Sequence, residues 1–92
     1  MAALENAVHP VVQALRKGEH FKVLAIGFKK GMVLKEHRAL LPTKLFVLKG
    51  QVFYKENDAS TTLSTYEEIE IPVNIVHSVE AAEDSLCLLT QG

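Results

Sequence analysis

The sequence has only one cysteine and no apolar run long enough to cross a membrane. Cys87 alone cannot form an internal disulfide, so the chain does not resemble the small secreted domains that disulfides stabilise. The N-terminus also lacks the basic start and long apolar run of a signal peptide. We therefore expect a cytoplasmic protein that has no membrane partner.

An excess of charge is missing as well. The 92 residues contain 10 Lys and Arg against 11 Asp and Glu, which gives a formal net charge of -1. This balance provides no basic surface for nucleic acid or for an anionic membrane, so nucleic acid is not expected as a partner. A chain of this length has room for one domain with one core.

Motifs that identify common enzyme classes are absent too. There is no phosphate-binding glycine loop, no CxxC and no nucleophile elbow. Glu68 and Glu70 alternate with isoleucines in the way of a solvated strand face, and Cys87 in the apolar "SLCLLT" is typical of a buried strand residue. The sequence therefore predicts no catalytic residue.

What the chain does contain is a series of short β-forming segments. Apolar residues occur in runs rich in β-branched and aromatic types, separated by turn-forming residues. We predict an N-terminal arm over residues 1–10 and a single β domain over residues 11–92. The predicted strands cover residues 11–16, 21–28, 32–37, a hairpin over 43–56 that turns at Lys49 and Gly50, one or two strands in 61–71, and two last strands over 77–81 and 85–91. About eight or nine short strands without a long helix predict a closed antiparallel barrel or a sandwich.

The run "LFVL" at residues 45–48 places apolar side chains on both faces of one strand, because successive strand residues face opposite sides. A barrel this small has one interior, so the outward face, with Phe46 and Leu48, must be covered by something other than water. A symmetric homodimer is the interpretation that we favour. The alternative is that the N-terminal arm covers the patch.

The segment from Gly31 to Gly50 has a characteristic spacing. Gly31 is followed after five residues by His37, Ala39 stands two positions further on, Thr43 follows after three residues, and Gly50 follows after six more. This spacing resembles the first motif of the cupin superfamily of small antiparallel β-barrels, G(X)5HXH(X)3,4E(X)6G. His37 and both glycines agree with that motif, whereas Ala39 and Thr43 stand in place of its second histidine and its glutamate.

A second segment resembles the other cupin motif, G(X)5PXG(X)2H(X)3N. Pro72 and His77 are in register, whereas Tyr66, Asn74 and Ala81 replace the two glycines and the asparagine. Asparagine tolerates the left-handed backbone that glycine would supply in a turn between the last strands. The end of the chain looks like the closing hairpin of small single-domain cupins. The resemblance implies an all-β, cupin-like, double-stranded jelly-roll barrel.

The resemblance also implies a degenerate metal site. In metal-binding cupins the two histidines, the glutamate and the later histidine form the first shell, which corresponds here to His37, Ala39, Thr43 and His77. Only His37 and His77 are good ligands for a divalent transition metal, and catalytic sites normally use three protein ligands. We therefore expect no resident cofactor and at most a weakly bound Zn, Fe, Mn or Ni ion at His37 and His77. His20 beside a turn remains a candidate for a third ligand.

A cupin-like barrel would place a mostly apolar pocket around these histidines, with either Phe53 or Tyr54 as an aromatic wall. The predicted lining is His37, Ala39, Thr43, Leu45, Val47 and His77. Such a mixture of apolar walls and a few convergent polar groups is typical of a small-molecule site.

Three functions follow from this interpretation. The first is a homodimeric small-ligand-binding or regulatory module that lacks the usual metal centre. The alternative is a metal-dependent enzyme of the oxygenase or isomerase type, in which His37 and His77 are metal ligands. A third is a structural interaction domain that works through the surface around Phe46 and Leu48.

Overall fold

The computed structural model describes residues 9–92, with residue 37 described by its backbone only. Residues 1–8 of the predicted N-terminal arm lie outside this range. The described chain forms nine strands: β1 (Val11–Lys17), β2 (Lys22–Phe28), β3 (Val33–Arg38), β4 (Thr43–Lys49), β5 (Gln51–Glu56), β6 (Ala59–Ser64), β7 (Glu68–Ile71), β8 (Val76–Ala81) and β9 (Ser85–Gln91). The prediction of an all-β chain with eight or nine short strands is confirmed.

The strands form two sheets in which all pairs are antiparallel. One sheet has five strands in the order β1-β2-β9-β4-β7, and the other has four in the order β3-β8-β5-β6. This is the two-sheet arrangement of a jelly roll, as predicted. No helix in residues 9–92 has the length and apolar character that crossing a bilayer requires.

Two predicted hairpins are wrong. β4 pairs with β7 and β9, whereas β5 pairs with β6 and β8, so the chain changes sheets at Gly50 and does not form a hairpin there. The physical reason is that Gly50 is a single linking residue at φ 99°, a conformation open to glycine, which turns a corner between the sheets. The last two strands, β8 and β9, likewise belong to different sheets, and Asn74 lies between β7 and β8.

The core lies between the sheets and consists of alternate residues from most strands. Tyr54 and Phe28 are its largest fully buried side chains. Cys87 is fully buried, and this burial raises the pKa of its thiol to about 12, which agrees with a packing role. The core cluster contains Ile26, Phe28, Leu45, Val47, Val52, Tyr54, Leu63, Ile71, Val79, Ala81, Cys87 and Leu89.

The "LFVL" run divides between the two faces of β4. Leu45 and Val47 are buried in the core, whereas Phe46 is half-buried and Leu48 is exposed. The ring of Phe46 stacks on that of Tyr66, with 6.4 Å between the centroids, so part of the outward patch is covered by this chain itself. The homodimer stays a prediction.

The strand register defines two ends of the barrel. We call one the His77 end, which carries residues 18–21, 39–42, 57–58, 72–75 and the C-terminal residue. We call the other the Gly50 end, which carries residues 29–32, 50, 65–67 and 82–84. Both cupin-like motifs contribute residues to both ends.

Candidate functional site

His77 is a buried polar residue in an otherwise apolar row of β8. Its neighbours on the same face, Val79 and Ala81, belong to the core, and strand alternation turns His77 in the same direction, so only 3% of the residue is exposed. The ring Nδ1 lies 3.1 Å from the carbonyl oxygen of Ile75. Because a carbonyl only accepts hydrogen bonds, this contact favours the tautomer with the hydrogen on Nδ1.

Tyr54 provides the aromatic wall beside His77. The two ring centroids are 5.7 Å apart, and Tyr54 is 2% exposed, so Tyr54 rather than Phe53 faces the core. The Tyr54 hydroxyl donates a hydrogen bond to Oε2 of Glu56 at 3.0 Å. Burial, together with the carboxylate of Glu56, raises the pKa of Tyr54 well above its usual range, so the phenol keeps its proton.

The strand register brings two of the predicted positions, His37 and His77, into one row with Glu56. The backbone of His37 on β3 lies opposite that of His77 on β8, and Glu56 on β5 lies opposite His77 on its other side. A register shift separates Leu34 and His37 on β3. Bulges of this kind occur beside active sites, where they redirect side chains.

The remaining predicted pocket residues are buried. Ala39 is 4% exposed, Thr43 5%, Leu45 1% and Val47 0%. The Thr43 hydroxyl donates a hydrogen bond to the carbonyl of Leu41 at 2.8 Å. Leu45 and Val47 pack in the hydrophobic core. Their contribution to binding therefore remains a prediction, since these side chains contact other core residues in the described state.

His77 and Thr43 line different clefts. The His77 cleft, of about 340 Å³, is lined by Glu36, Lys55, Asn57, Val76, His77 and Ser78. The Thr43 cleft, also of about 340 Å³, is lined by Pro42, Thr43, Lys44, Glu70, Thr90 and Gly92. Both clefts lie near the His77 end, and His77 is the buried residue in the lining of the first.

Few good metal ligands lie among the described side chains at the predicted metal positions, and the metal prediction stays untested. Among the side chains that the structure describes, no three His, Cys, Asp or Glu residues come together in a way that could hold an ion. The ring of His20, the candidate third ligand, is 93% exposed on the β1–β2 turn, and its nearest carboxylate is Glu19 at 3.8 Å. Ala39 has no lone pair to offer, and Thr43 directs its hydroxyl hydrogen to Leu41.

Glu56 was not among the site residues predicted from the sequence. A glutamate directly before the "NDAS" turn looks like an ordinary solvated strand end, yet it is half-buried and accepts the hydrogen bond of Tyr54. The signal that could have found it is strand alternation: once Tyr54 faces the core, Glu56 two residues later faces the same way.

The motif positions without glycine keep glycine-like backbone. Tyr66 has φ 70° and Asn74 has φ 68°, both in the left-handed region that glycine usually occupies. Asparagine adopts this conformation at little cost, whereas for tyrosine the cost is about 1–2 kcal/mol. The backbone geometry implied by the second motif therefore persists at both substituted positions.

Comparisons with known proteins agree on the fold. No family model matches the chain, and no curated protein matches its sequence. Among solved structures, it is similar to a cupin superfamily protein from Desulfitobacterium hafniense, with a TM-score of 0.87 at 15% identity over 94% of this chain and 79% of the other. The chain is also similar to an RmlC-like cupin from Desulfovibrio desulfuricans, with a TM-score of 0.82 at 25% identity over 95% of this chain and 90% of the other. An RmlC-like cupin from Shewanella frigidimarina is similar with a TM-score of 0.85 at 15% identity over 96% of this chain and 79% of the other.

These similarities cover nearly the whole chain. The chain has the fold of a small cupin domain, as the spacing of the two motifs predicts.

Proposed function

We propose that this cupin-fold protein is a small-ligand-binding or regulatory module that works without the usual metal centre. The ligand enters at the His77 end and contacts the row formed by Tyr54, Glu56 and His77. The single observation that carries this proposal is the burial of His77, which is 3% exposed within a wall of core residues. A polar imidazole in a wall of apolar side chains gives up hydration that an apolar residue in the same place would not, which supports a recognition role for His77.

The polar groups beside His77 support the same proposal. Tyr54 and Glu56 form a hydrogen-bonded pair in the part of the barrel where its strands end. A few convergent polar groups in an apolar setting are the usual composition of a small-molecule site. His37, whose backbone lies opposite His77, belongs to the proposed site through the strand register.

A metal-dependent enzyme of the oxygenase or isomerase type is the second candidate. The observation that favours it is the contact of His77 Nδ1 with the Ile75 carbonyl, because metal-ligating histidines commonly hold such a partner on the other ring nitrogen. His37 and His77 would be its ligands, with water or substrate completing the coordination. The incomplete donor set at Ala39 and Thr43 makes this the weaker proposal.

The two candidates differ in metal content and in their response to small molecules. Protein purified without chelators and without a metal-affinity column is analysed for transition metals, and its melting temperature is measured with a metabolite library. The ligand-binding proposal predicts no stoichiometric metal and a rise in melting temperature with at least one compound. That rise disappears in His77→Asn and remains in His20→Asn, a control on an exposed histidine.

Stoichiometric metal that is lost in His77→Asn would instead support the enzyme. If no compound stabilises the protein and no metal is bound, the ligand-binding proposal is wrong.

We also propose a homodimer that uses the outward face of β4. Phe46 is half-buried and Leu48 is 39% exposed on that face, which leaves apolar surface in contact with water in a monomer. Light scattering on the wild type and on Leu48→Asp tests this proposal. A dimer that becomes a folded monomer supports it, and a monomeric wild type contradicts it.

A further inference from the structure

Two lysines, which we call the hairpin lysines, face each other directly across the β1–β2 hairpin. Lys17 and Lys22 are partners in the strand register, and Lys22 lies on the same face of β2 as the buried Ile26. The next pair towards the turn is hydrogen-bonded, because the amide of Gly18 donates to the carbonyl of Phe21 at 2.8 Å. The hairpin lysines therefore form a non-hydrogen-bonded pair, the kind in which opposite side chains are closest. Two positive charges in this arrangement repel each other and destabilise the hairpin.

Two other strand lysines have carboxylate partners, whereas the hairpin lysines do not. The Nζ of Lys44 lies 3.3 Å from a carboxylate oxygen of Glu68, and that of Lys55 lies 2.9 Å from one of Glu80. Within residues 9–92, no carboxylate forms a salt bridge with either hairpin lysine. The repulsion between them is therefore uncompensated in this part of the chain, and an anionic ligand would relieve it.

A cleft of about 300 Å³ at the His77 end is lined by both hairpin lysines. Its apolar lining consists of Phe21 and Leu41, which are 42% and 47% exposed. The ring of Phe21 lies against Gly18, where an added Cβ would collide with it. The amide of Gly92 donates to the carbonyl of Pro42 at 2.9 Å, which holds Gly92 in the lining. The cleft therefore combines two positive groups with apolar surface, in a volume at the lower limit of small-molecule sites.

The other titratable side chains in the lining of this cleft are Glu19 and His20, at the tip of the hairpin. Both side chains are 93% exposed, and the Nε2 of His20 lies 3.8 Å from a carboxylate oxygen of Glu19. Water and salt screen the charge of a carboxylate that is exposed in this way. With two lysines against one glutamate, the lining has a net charge of +1 when His20 is neutral.

We infer that this cleft binds a small carboxylate with a short apolar body. The carboxylate lies between Lys17 and Lys22, and the body packs on Phe21 and Leu41. Binding replaces the repulsion between two ammonium groups with charge-assisted hydrogen bonds, and it removes exposed apolar surface from water. A cationic ligand is disfavoured, because it would add a third positive charge. The site goes beyond the proposed function, since it lies outside the row that contains His77.

Three probes separate the charged head of the ligand from its apolar body. Amide NMR spectra of the full chain are recorded during titrations with sodium hexanoate, sodium acetate and hexan-1-ol at neutral pH and matched ionic strength. We expect hexanoate to shift signals of residues 17–22 and 41. It should bind at least about tenfold more tightly than acetate, which lacks the body, and than hexan-1-ol, which lacks the charge. Equally tight binding of acetate or of hexan-1-ol would overturn the inference.

Removal of single lysine charges separates a role for the hairpin lysines from a general charge effect. Lys17→Gln and Lys22→Gln should each weaken hexanoate binding about tenfold, whereas Lys49→Gln, which removes the same charge near the Gly50 end, should leave it unchanged. Without ligand, the first two variants should melt at a temperature no lower than that of the wild type, because the repulsion is gone. A lower melting temperature in both would contradict the repulsion on which the inference rests. If a variant does not fold, the ranking of the three probes on the wild type decides the inference.

The outcomes also distinguish this site from that of the proposed function. Hexanoate shifts confined to residues 54–57 and 75–78, and unaffected by the lysine variants, would overturn the inference and support a ligand in the row that contains His77. No response to any of the three probes would overturn the inference alone. The proposed function is decided independently, by the metabolite library and the His77→Asn variant.

Discussion

At the Gly50 end of the barrel, side-chain hydrogen bonds hold the loops to one another, whereas the loops of the His77 end are joined by backbone hydrogen bonds, such as that from the Asn74 amide to the Ala39 carbonyl. Lys30 donates its amide hydrogen to Asp84 at 2.9 Å, and the Ser85 hydroxyl contacts backbone atoms of both Gln51 and Glu83.

The loops of the His77 end expose four large apolar residues, which we call the apolar rim: Phe21, Leu40, Leu41 and Val73. In the loops of the Gly50 end, Tyr66 is the large apolar residue that is exposed.

The difference indicates that the two ends of the barrel have different roles. Most of the corners where the chain passes from one sheet to the other lie at the Gly50 end, at residues 29–32, 50, 65–67 and 82–84, whereas residues 39–42 and 72–75 make such passages at the His77 end. The His77 end places buried polar groups beneath an apolar rim. Substitutions at the first end should therefore affect the free energy of unfolding, and substitutions at the second should mainly affect binding.

The largest effect is expected at Gly50. An added methyl group would collide with Ser85 and with the backbone of Asp84, and the residue has φ 99°. We predict that Gly50→Ala lowers the free energy of unfolding by roughly 3 kcal/mol, measured by chemical denaturation. Gly31→Ala is the matched control: it has φ 85° but open space around it, and should cost only about 1 kcal/mol. Equal losses in the two variants would show that the corner at Gly50 is not sterically closed.

The next effect compares one buried hydroxyl at each end. The Ser85 hydroxyl donates to a backbone carbonyl and accepts a hydrogen bond from the amide of Gln51 at 3.0 Å. The Thr43 hydroxyl donates one hydrogen bond, to the carbonyl of Leu41. We predict that Ser85→Ala costs about 2 kcal/mol and Thr43→Val about 1 kcal/mol in denaturation experiments. The reverse order would contradict the proposed difference between the ends.

A pH titration of stability tests whether the core between the ends is dry. The pKa of Cys87 is raised from 9.0 to about 12. The contribution of the protonated thiol to the free energy of unfolding is therefore fully present below pH 9 and is lost as the pH rises towards 12. In this window the unfolded thiol ionises first, and the free energy of unfolding falls by up to about 1.4 kcal/mol per pH unit. Cys87→Val should remove this part of the decline and leave the part due to Tyr54. An unchanged slope would mean that water reaches the thiol.

The smallest effect on stability is expected at the apolar rim. Leu40 and Val73 are 78% and 43% exposed, so Leu40→Ser and Val73→Ser should change the free energy of unfolding by less than about 0.5 kcal/mol. The same variants should weaken the binding of a small molecule at the His77 end, because they remove apolar contact area. A large loss of stability would mean that the rim is part of the core.

The sequence was sufficient for much of the fold, because strand alternation and turn residues are local signals. They located the strands near their true bounds, and the spacing of Gly31, His37, Gly50, Pro72 and His77 indicated the jelly roll. The sheet change at Gly50 could not be predicted from local signals, since a glycine between two strands is equally compatible with a hairpin. Pairing depends on contacts with β7, β8 and β9, which are distant in sequence.

The site was less predictable than the fold. His77, Thr43 and Ala39 are buried, and their role in binding stays a prediction. Glu56 was missed because its burial depends on which residue of β5 faces the core, and the sequence left Phe53 and Tyr54 as alternatives. The loops that carry the apolar rim have no periodic pattern, so the sequence does not show that the exposed Leu40 and Leu41 lie at the same end of the barrel as His77.

The central claim is that the His77 end, and not the Gly50 end, binds a small molecule. Its most direct test is a map of amide NMR shift changes on addition of a small-molecule fragment library to the assigned protein. The account predicts that the changes cluster at residues 39–42, 54–57 and 73–78. Changes that cluster at residues 29–32, 49–50 and 82–85, or an absence of changes with every fragment, would contradict it.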